Sequence, residues 1–152
     1  MEQSAIGLDT RIKTMNKYSS KPTTVNKSPG YWYAFFTDMR NFKQLLPDDK
    51  ISEWEADENS CRFQIKGLTK VSFSLKEKSP ERLVVYTGSE KMPVPLNIVM
   101  EIEAAEGTEN QSILSIHIET ELNPMMKMML DKPLTNLVNT IGTALPTIAS
   151  KI

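Results

Sequence analysis

The stretch that decides the fold is residues 123–152, NPMMKMMLDKPLTNLVNTIGTALPTIASKI, at the C-terminal end of the chain. Its large apolar residues recur every three or four positions, at Leu134, Leu137, Val138, Ile141, Leu145, Ile148 and Ile152. This spacing puts one wide apolar stripe along a helix. The sequence therefore predicts a long C-terminal helix whose apolar side packs against another layer of the protein.

Two prolines interrupt the helical pattern of this stretch. A proline inside a helix removes one hydrogen bond and clashes with the carbonyl four residues back, which costs ~3 kcal/mol. We expect Pro133 to be the first residue of the main helix, where its missing donor has no consequence. Pro146 faces Gly142, and the apolar stripe keeps its phase beyond it. A kink near Gly142 is therefore expected, not a stop.

The middle of the chain has the alternating pattern of strands. Apolar side chains share one face in residues 70–78, 96–104 and 111–122, at Val71, Phe73, Leu75, Ile98, Met100, Ile102, Leu114, Ile116 and Ile118. Short turn-forming stretches separate successive strands, which predicts antiparallel pairing. Before them, Ser28 and Pro29 are a helix cap and a first-turn proline. A second short helix carries Phe42, and one edge strand is expected within residues 10–26.

This order of elements predicts an α+β fold. We expect a curved antiparallel sheet of about 6–7 strands, two short helices, and the long C-terminal helix packed across the sheet. Residues 1–10 are polar and aperiodic and are expected to be a loose tail, which leaves residues 11–152 as a single domain. Because a wide sheet must twist and curl, one helix across it is expected to leave a cavity.

Several segments resemble the SRPBCC superfamily of START-like, helix-grip proteins, over roughly residue 16 to the end. The resemblance is carried by FFTD at 35–38, NF at 41–42, LP at 46–47, Gly67 before a strand, LNP at 122–124 and KPL at 132–134. The chain looks similar to small bacterial members related to the carbon monoxide dehydrogenase accessory protein. The resemblance implies the helix-grip fold, which hosts transporters, polyketide cyclases and scaffolds alike.

Composition excludes several classes of protein. A chain of 152 residues with a net charge of −1 and no basic patch is not expected to bind nucleic acid. No apolar run approaches the ~20 residues of a membrane span, and the N-terminus lacks a signal-peptide core. The single cysteine, Cys61, cannot form an internal disulfide. A cytoplasmic protein is expected, either a monomer or a weak homodimer.

Residues that could carry chemistry are scarce. His117 is the only histidine, and strand parity points it outward, opposite Ile116 and Ile118. Cys61 has no paired base at a recognisable spacing. Glu77 is the only acid that parity could turn inward. We therefore expect no metal site, no cofactor and no catalytic residue, and the enzyme class stays open but is not favoured.

The predicted pocket lies between the sheet and the C-terminal helix. Methionine adapts to ligands of different shape, and four of the nine methionines fall within residues 125–129. The loop of residues 88–95, with Met92 and two prolines, is expected to cover the pocket mouth. The predicted ligand-binding residues are Phe73, Tyr86, Met92, Met100, Ile116, Thr120, Met125, Met129, Leu137 and Ile141. Tyr86 and Thr120 are the polar groups expected to orient the ligand.

Three functions remain open at this point. The first is the binding or transport of an apolar or amphipathic small molecule, lipid-like or polycyclic, driven by desolvation. The second is a polyketide cyclase or dehydratase type of enzyme, which requires a titratable group inside the cavity. The third is an assembly or protein-interaction factor, which requires an exposed apolar patch at the methionine-rich end and no closed cavity.

Overall fold

The computed structural model describes residues 15–46, 48–66, 70–92 and 94–151. The predicted tail, residues 1–10, lies outside the described residues. Pro47, Gly67, Pro93 and Ile152 lie outside them as well. The strands are β1 Met15–Ser19, β2 Thr23–Asn26, β3 Ile51–Ala56, β4 Ser60–Ile65, β5 Lys70–Ser79, β6 Leu83–Gly88, β7 Leu96–Ala104 and β8 Gln111–Glu121. The helices are α1 Pro29–Phe36 and α2 Pro124–Lys151, with two 3₁₀ segments, Met39–Leu45 and Asp48–Lys50, between α1 and β3.

The strands form one antiparallel sheet in the order β1-β8-β7-β6-β5-β4-β3, with β2 also paired to β8. The sheet has eight strands, where about 6–7 were expected. The difference arises at the first edge, where one strand was predicted. Pro22 has no backbone donor and cannot continue a ladder, so the edge is split into β1 and β2 on either side of it. The predicted α+β class, with a long C-terminal helix against an antiparallel sheet, is confirmed.

The predicted start of α1 is confirmed. The side chain of Ser28 accepts a hydrogen bond from the backbone amide of Tyr31, and Pro29 is the first helical residue. The helix and the first 3₁₀ segment then bury Trp32, Phe35, Phe36, Met39, Phe42 and Leu45. These two short elements therefore deliver a block of large side chains to the inner face of the sheet.

The prediction that Pro133 opens the main helix was wrong. α2 is 28 residues long and begins at Pro124. Asn123 caps it, because its side-chain oxygen accepts from the amide of Met126 at 2.8 Å and its carbonyl accepts from the amide of Lys127. Asparagine followed by proline supplies both a cap and a first-turn residue, so Pro133 falls inside the helix. The expectation that Pro146 does not stop the helix is confirmed.

α2 lies over one side of the sheet. It packs against β1, β2, β8 and the first 3₁₀ segment. Its buried side carries most of the apolar stripe seen in the sequence, namely Leu134, Val138, Ile141, Leu145 and Ile148. A Cβ atom on Gly142 would stand 3.1 Å from the Cβ of Ser20, so the glycine allows the helix to approach the edge between β1 and β2 closely. Within the described residues, no helix is both long enough and apolar enough to cross a membrane.

Candidate ligand-binding site

Most of the predicted pocket residues meet in the interior between the sheet and α2. Six of the ten are buried, namely Phe73, Tyr86, Met100, Ile116, Thr120 and Ile141. The five strand residues belong to β5, β6, β7 and β8, and buried and less buried positions alternate along β7 and β8. This alternation places Met100, Ile116 and Thr120 on the inner face, and Phe73 and Tyr86 belong to the same core cluster as Met100 and Ile116.

The interior is occupied by the protein's own aromatic side chains. Phe42, from the first 3₁₀ segment, lies with its ring centroid 5.1 Å from that of Tyr86, 5.8 Å from that of Phe73 and 6.4 Å from that of Phe63. Its side chain is buried. Phe42 therefore stands where a ligand in contact with Phe73 and Tyr86 would stand.

The two polar groups expected to orient a ligand already have partners in the protein. The hydroxyl of Tyr86 donates to the carbonyl oxygen of Phe36 at 2.7 Å. The hydroxyl of Thr120 donates to the carbonyl oxygen of Pro95, at the end of the loop of residues 89–95. Burial raises the pKa of Tyr86 well above its ordinary value, so this hydroxyl stays protonated. The first bond ties the end of α1 to the sheet, and the second ties the loop of residues 89–95 to it.

No acid or base enters the interior from the described part of the chain. The buried polar or charged residues there are Ser112 and Thr120. Glu77 is exposed, because the pairing of β5 with β6 shifts between Leu75 and Glu77 and turns it away from the inner face. Within the described ranges, no three histidine, cysteine, aspartate or glutamate side chains are grouped as metal ligands. The titratable group that a cyclase or dehydratase would need inside is not found among these residues.

The methionine-rich start of α2 lies differently from the interior. Met125 and Met129 are 71% and 68% exposed, and Met128 between them is 84% exposed. The reason is helical phase, since positions 125, 128 and 129 share the face opposite that of Leu134, Ile141 and Leu145. This is the exposed apolar patch that the interaction alternative requires.

The two remaining predicted residues, Met92 and Leu137, are half-buried. Met92 packs against Gly88, where an added Cβ would stand 2.6 Å from the Met92 sulfur. A side chain at position 88 would therefore force the side chain of Met92 to move. Leu137 lies on the flank of α2 and touches the core cluster from outside.

One flank of α2 forms a surface that the sequence pattern did not indicate. Met126, Leu130, Leu137 and Ala144 recur at intervals of four or seven residues and are all half-buried. The flank ends at an open hollow of about 660 Å³ between α2 and the residues Gln44 and Lys50. Its lining includes Ala144 and Ile148 together with the polar side chains Asn136, Asn139, Thr140, Thr143, Thr147 and Lys151. An apolar stripe therefore leads into a partly polar recess beside the interior.

A second hollow, of about 540 Å³, lies beside β3, β4 and β5. Its lining includes the buried Cys61 and Phe73 together with Ser60, Arg62, Ser72 and Ser74. Arg62 is paired there with Glu55 at 2.8 Å.

The histidine and the cysteine take different places. His117 lies on the outer face, as predicted, with its Nδ1 atom 2.7 Å from the hydroxyl of Ser19 and its Nε2 atom bonded to the carboxylate of Glu101. The three residues belong to β1, β8 and β7, so they link adjacent strands across the sheet surface. Burial raises the pKa of Cys61 to about 12, so its thiol remains protonated.

Comparison with known proteins shows the fold. No family model and no curated protein matches this chain. Norcoclaurine synthase from Thalictrum flavum, solved in complex with dopamine and hydroxybenzaldehyde, superposes with a TM-score of 0.65 at 12% identity, covering 99% of this chain and 96% of that one. A START superfamily protein from Mycobacterium smegmatis superposes with a TM-score of 0.63 at 11% identity, covering 90% and 97%.

A third solved structure belongs to a biosynthetic pathway. The di-domain ARO/CYC protein StfQ from the steffimycin biosynthetic pathway superposes with a TM-score of 0.67 at 11% identity, covering 94% of this chain and 53% of that one. Identities this low establish the architecture only. The chain has the START-like, helix-grip fold that the sequence segments indicated.

Proposed function

We propose that this protein binds an apolar or amphipathic small molecule between α2 and the inner face of the sheet, and that the molecule enters along the flank of α2. The observation that carries the proposal is the row of half-buried apolar side chains on that flank, Met126, Leu130, Leu137 and Ala144. A ligand lying against this row would remove apolar surface from water, at about 25 cal/mol per Å². The hollow beside Gln44 and Lys50 offers polar groups for the other end of an amphipathic molecule.

Phe42 is the side chain that must move for a ligand to reach Phe73 and Tyr86. It is carried by a 3₁₀ segment of seven residues and not by a strand. Short 3₁₀ segments have poorer hydrogen-bond geometry than α-helices. A shift of this segment would therefore open the interior without breaking any strand pairing. We infer that the closed arrangement is the ligand-free state and that Phe42 occupies the ligand's place.

The fold neighbours support a ligand-binding role in a limited way. The synthase was solved with two small aromatic molecules, and a polyketide ARO/CYC protein has the same architecture. A cyclase or dehydratase reaction is less well supported here, because the buried part of the described residues holds no Asp, Glu, His, Lys or Arg. Transport or storage of the ligand needs none of these groups.

The proposal can be tested with one probe and a pair of variants. We expect the amphipathic dye 1-anilinonaphthalene-8-sulfonate to bind the folded chain with increased fluorescence. Leu137→Arg puts a charge on the half-buried flank and should weaken dye binding by about tenfold or more, which corresponds to ~1.4 kcal/mol. Thr135→Arg adds the same charge to an exposed position of the same helix. It should leave the dye affinity unchanged.

Native mass spectrometry of the freshly purified chain provides a second measurement. A co-purified mass that is lost in Leu137→Arg and kept in Thr135→Arg would support the proposal. Equal dye affinity for both variants, or a wild-type chain that binds neither the dye nor any co-purified molecule, would overturn it. Far-UV circular dichroism of both variants controls for folding.

A further inference from the structure

Three methionines stand on the outward face of the first turns of α2. Met125, Met128 and Met129 occupy positions i, i+3 and i+4, which are neighbours on a helix surface with Cβ atoms about 5–6 Å apart. All three are more than two-thirds exposed. The core-facing residues of α2 lie on the opposite side. The three side chains are therefore outside both the core and the ligand path proposed above.

The choice of residue at these positions is selective. Every large apolar side chain that is strongly exposed on the described residues is one of these three methionines. Leucine or phenylalanine would serve equally well if the surface only had to be apolar. Methionine differs from them by its thioether sulfur, a soft and polarizable donor. The three positions therefore share a thioether sulfur as well as an apolar surface.

We propose that Met125, Met128 and Met129 form a binding site for a soft monovalent metal ion, Cu(I), for which Ag(I) is a redox-inert substitute. Soft sulfur ligands favour Cu(I), zinc and iron–sulfur clusters. Zinc and iron–sulfur sites use thiolates, so a set of thioethers alone favours Cu(I). Methionine has three rotatable bonds, so three sulfurs on neighbouring positions of one helix face can converge on a single ion. The ligands are neutral and need no deprotonation to bind.

The neighbouring charged groups leave this face free for the ion. The ammonium group of Lys127 is held by the carboxylate of Asp131 at 2.8 Å. The hydroxyl of Tyr18 donates to the same carboxylate from β1. Lys132 lies on the same face, four residues after Met128 and three after Met129. It is exposed, and its long side chain can extend away into solvent. The helix itself is anchored at Asn123, so the sulfurs project from a fixed backbone.

The test uses Ag(I) and the full chain labelled with ¹³C at the methionine methyl groups. We expect one equivalent of Ag(I) to shift the methyl signals of Met125, Met128 and Met129 and to leave those of the buried Met39 and Met100 in place. Native mass spectrometry should show one bound ion. The measurement is repeated on a Cys61→Ala chain, because a thiol also binds silver and must not account for the signal.

The deciding variant replaces all three methionines by leucine. Met125→Leu, Met128→Leu and Met129→Leu together keep the apolar surface and the helix propensity but remove every sulfur. We expect the affinity for Cu(I) to fall by about a hundredfold or more, because loss of an outer-shell partner alone costs a metal site 10- to about 100-fold in affinity. Anaerobic competition with bicinchoninate measures this affinity. The matched control, Met126→Leu, changes a half-buried methionine of the same helix turn and should bind as the wild type does.

Three results would overturn the metal site. The first is an unchanged affinity in the triple leucine variant, which would assign the exposed patch to apolar contacts. The second is a shift of the Met92 or Met126 signals in place of the three expected ones. The third is a wild-type chain that takes up no Ag(I). The site is independent of the small-molecule proposal, because dye binding and metal binding are measured separately on different surfaces of α2.

Discussion

Two sets of methionines among the described residues have opposite surroundings. Met39 and Met100 are 0% and 1% exposed and belong to the packed core. Met125, Met128 and Met129 are 71%, 84% and 68% exposed on the solvent side of α2. The same flexible side chain fills gaps in one place and stands in water in the other. Burial explains the first set completely, whereas the second set contributes little to folding and therefore requires a functional explanation.

The same contrast holds between the two ends of the proposed ligand path. The interior is filled by aromatic and aliphatic side chains that pack in one arrangement, with Phe42 at its centre. The flank of α2 exposes part of each apolar side chain and opens into a hollow. A ligand can approach the flank without disturbing the core, but it reaches the interior only if the core rearranges. Substitutions in the packed interior should therefore change stability far more than substitutions on the exposed side of α2.

The largest effect is expected from Phe42→Ala. Truncation of a buried phenylalanine removes its burial and leaves a cavity, which costs about 3–5 kcal/mol. For a chain of 152 residues this lowers the melting temperature by roughly 2–4 °C for each kcal/mol. Urea unfolding measures the loss. Tyr33→Ala, at a half-buried position of α1, should cost clearly less.

The same variant separates a ligand site from an ordinary core. If Phe42 occupies the ligand's place, its removal should strengthen binding of the dye or of a small aromatic molecule, and that molecule should restore part of the lost stability. A destabilised variant that gains no affinity would mean that Phe42 is only a core residue. The small-molecule proposal would then have to stand on the flank of α2 alone.

A smaller effect, about 2–5 kcal/mol, is expected for Met100→Ala, since it empties a buried position. Met128→Ala should change the free energy of unfolding by no more than about 0.5 kcal/mol, because surface substitutions rarely do more. Chemical denaturation of the two variants under identical conditions gives the comparison directly. A loss of more than about 1 kcal/mol in Met128→Ala would show that the exposed set also supports the fold.

Sequence patterns predicted the parts of the fold that have one dominant period. The alternation at Phe73, Met100 and Ile116 gave the inner face of the sheet, and the steps between Leu134 and Ile148 gave the buried side of α2. Each is a local pattern with one face in water and one in the core. The cap at Ser28 was equally readable, because serine followed by proline has a specific role at a helix start.

The start of α2 could not be assigned by the same means. Four of the five residues at positions 125–129 are methionine, so apolar character alone does not tell which of them face the core. Two prolines, at 124 and 133, each fit a first-turn position. The cap at Asn123 decides between them. The filling of the interior by Phe42 depends on contacts between elements far apart in the chain, and no local period reports such contacts.

Filling the close approach at Gly142 with a methyl group is expected to lower the free energy of unfolding by about 1 kcal/mol. Gly142→Ala gains helix propensity of up to about 1 kcal/mol, but the new Cβ stands 3.1 Å from the Cβ of Ser20. Ser20 cannot yield easily, because its amide donates to the carbonyl of Ile116 at 2.9 Å and its hydroxyl accepts from the amide of Ile116. Overpacking costs about 1–3 kcal/mol, so we expect a net loss.

The double variant Gly142→Ala with Ser20→Gly tests the cause of that loss. Removing the side chain of Ser20 should relieve the contact, so the two changes should be less destabilising together than the sum of the single changes. Additive free energies of unfolding would mean that the glycine serves the kink predicted near Gly142 and not the approach to the sheet edge.

The smallest effect is expected from the contact that ties α2 to β1. The hydroxyl of Tyr18 donates to the carboxylate of Asp131, and burial followed by this bond and the charge of Asp131 raises the pKa of Tyr18 to about 12, from an ordinary value of 10.0. The folded state thus holds the proton more tightly than the unfolded chain does. The contribution of the Tyr18–Asp131 contact to stability is therefore complete below about pH 10. It is lost as the pH rises from 10 toward 12.

Tyr18→Phe removes this pH dependence, and absorbance at 295 nm should then lack one late-ionising tyrosinate. Asp131→Asn should lower the pKa of Tyr18 only in part, because burial, the largest of its causes, remains. The affinity of the methionine face for Ag(I) should be similar in Tyr18→Phe and in the wild type, since Asn123 holds the helix start independently. If Tyr18→Phe weakened both stability and metal binding, the two sets of methionines would be coupled through β1, and the division between a core set and a surface set would fail.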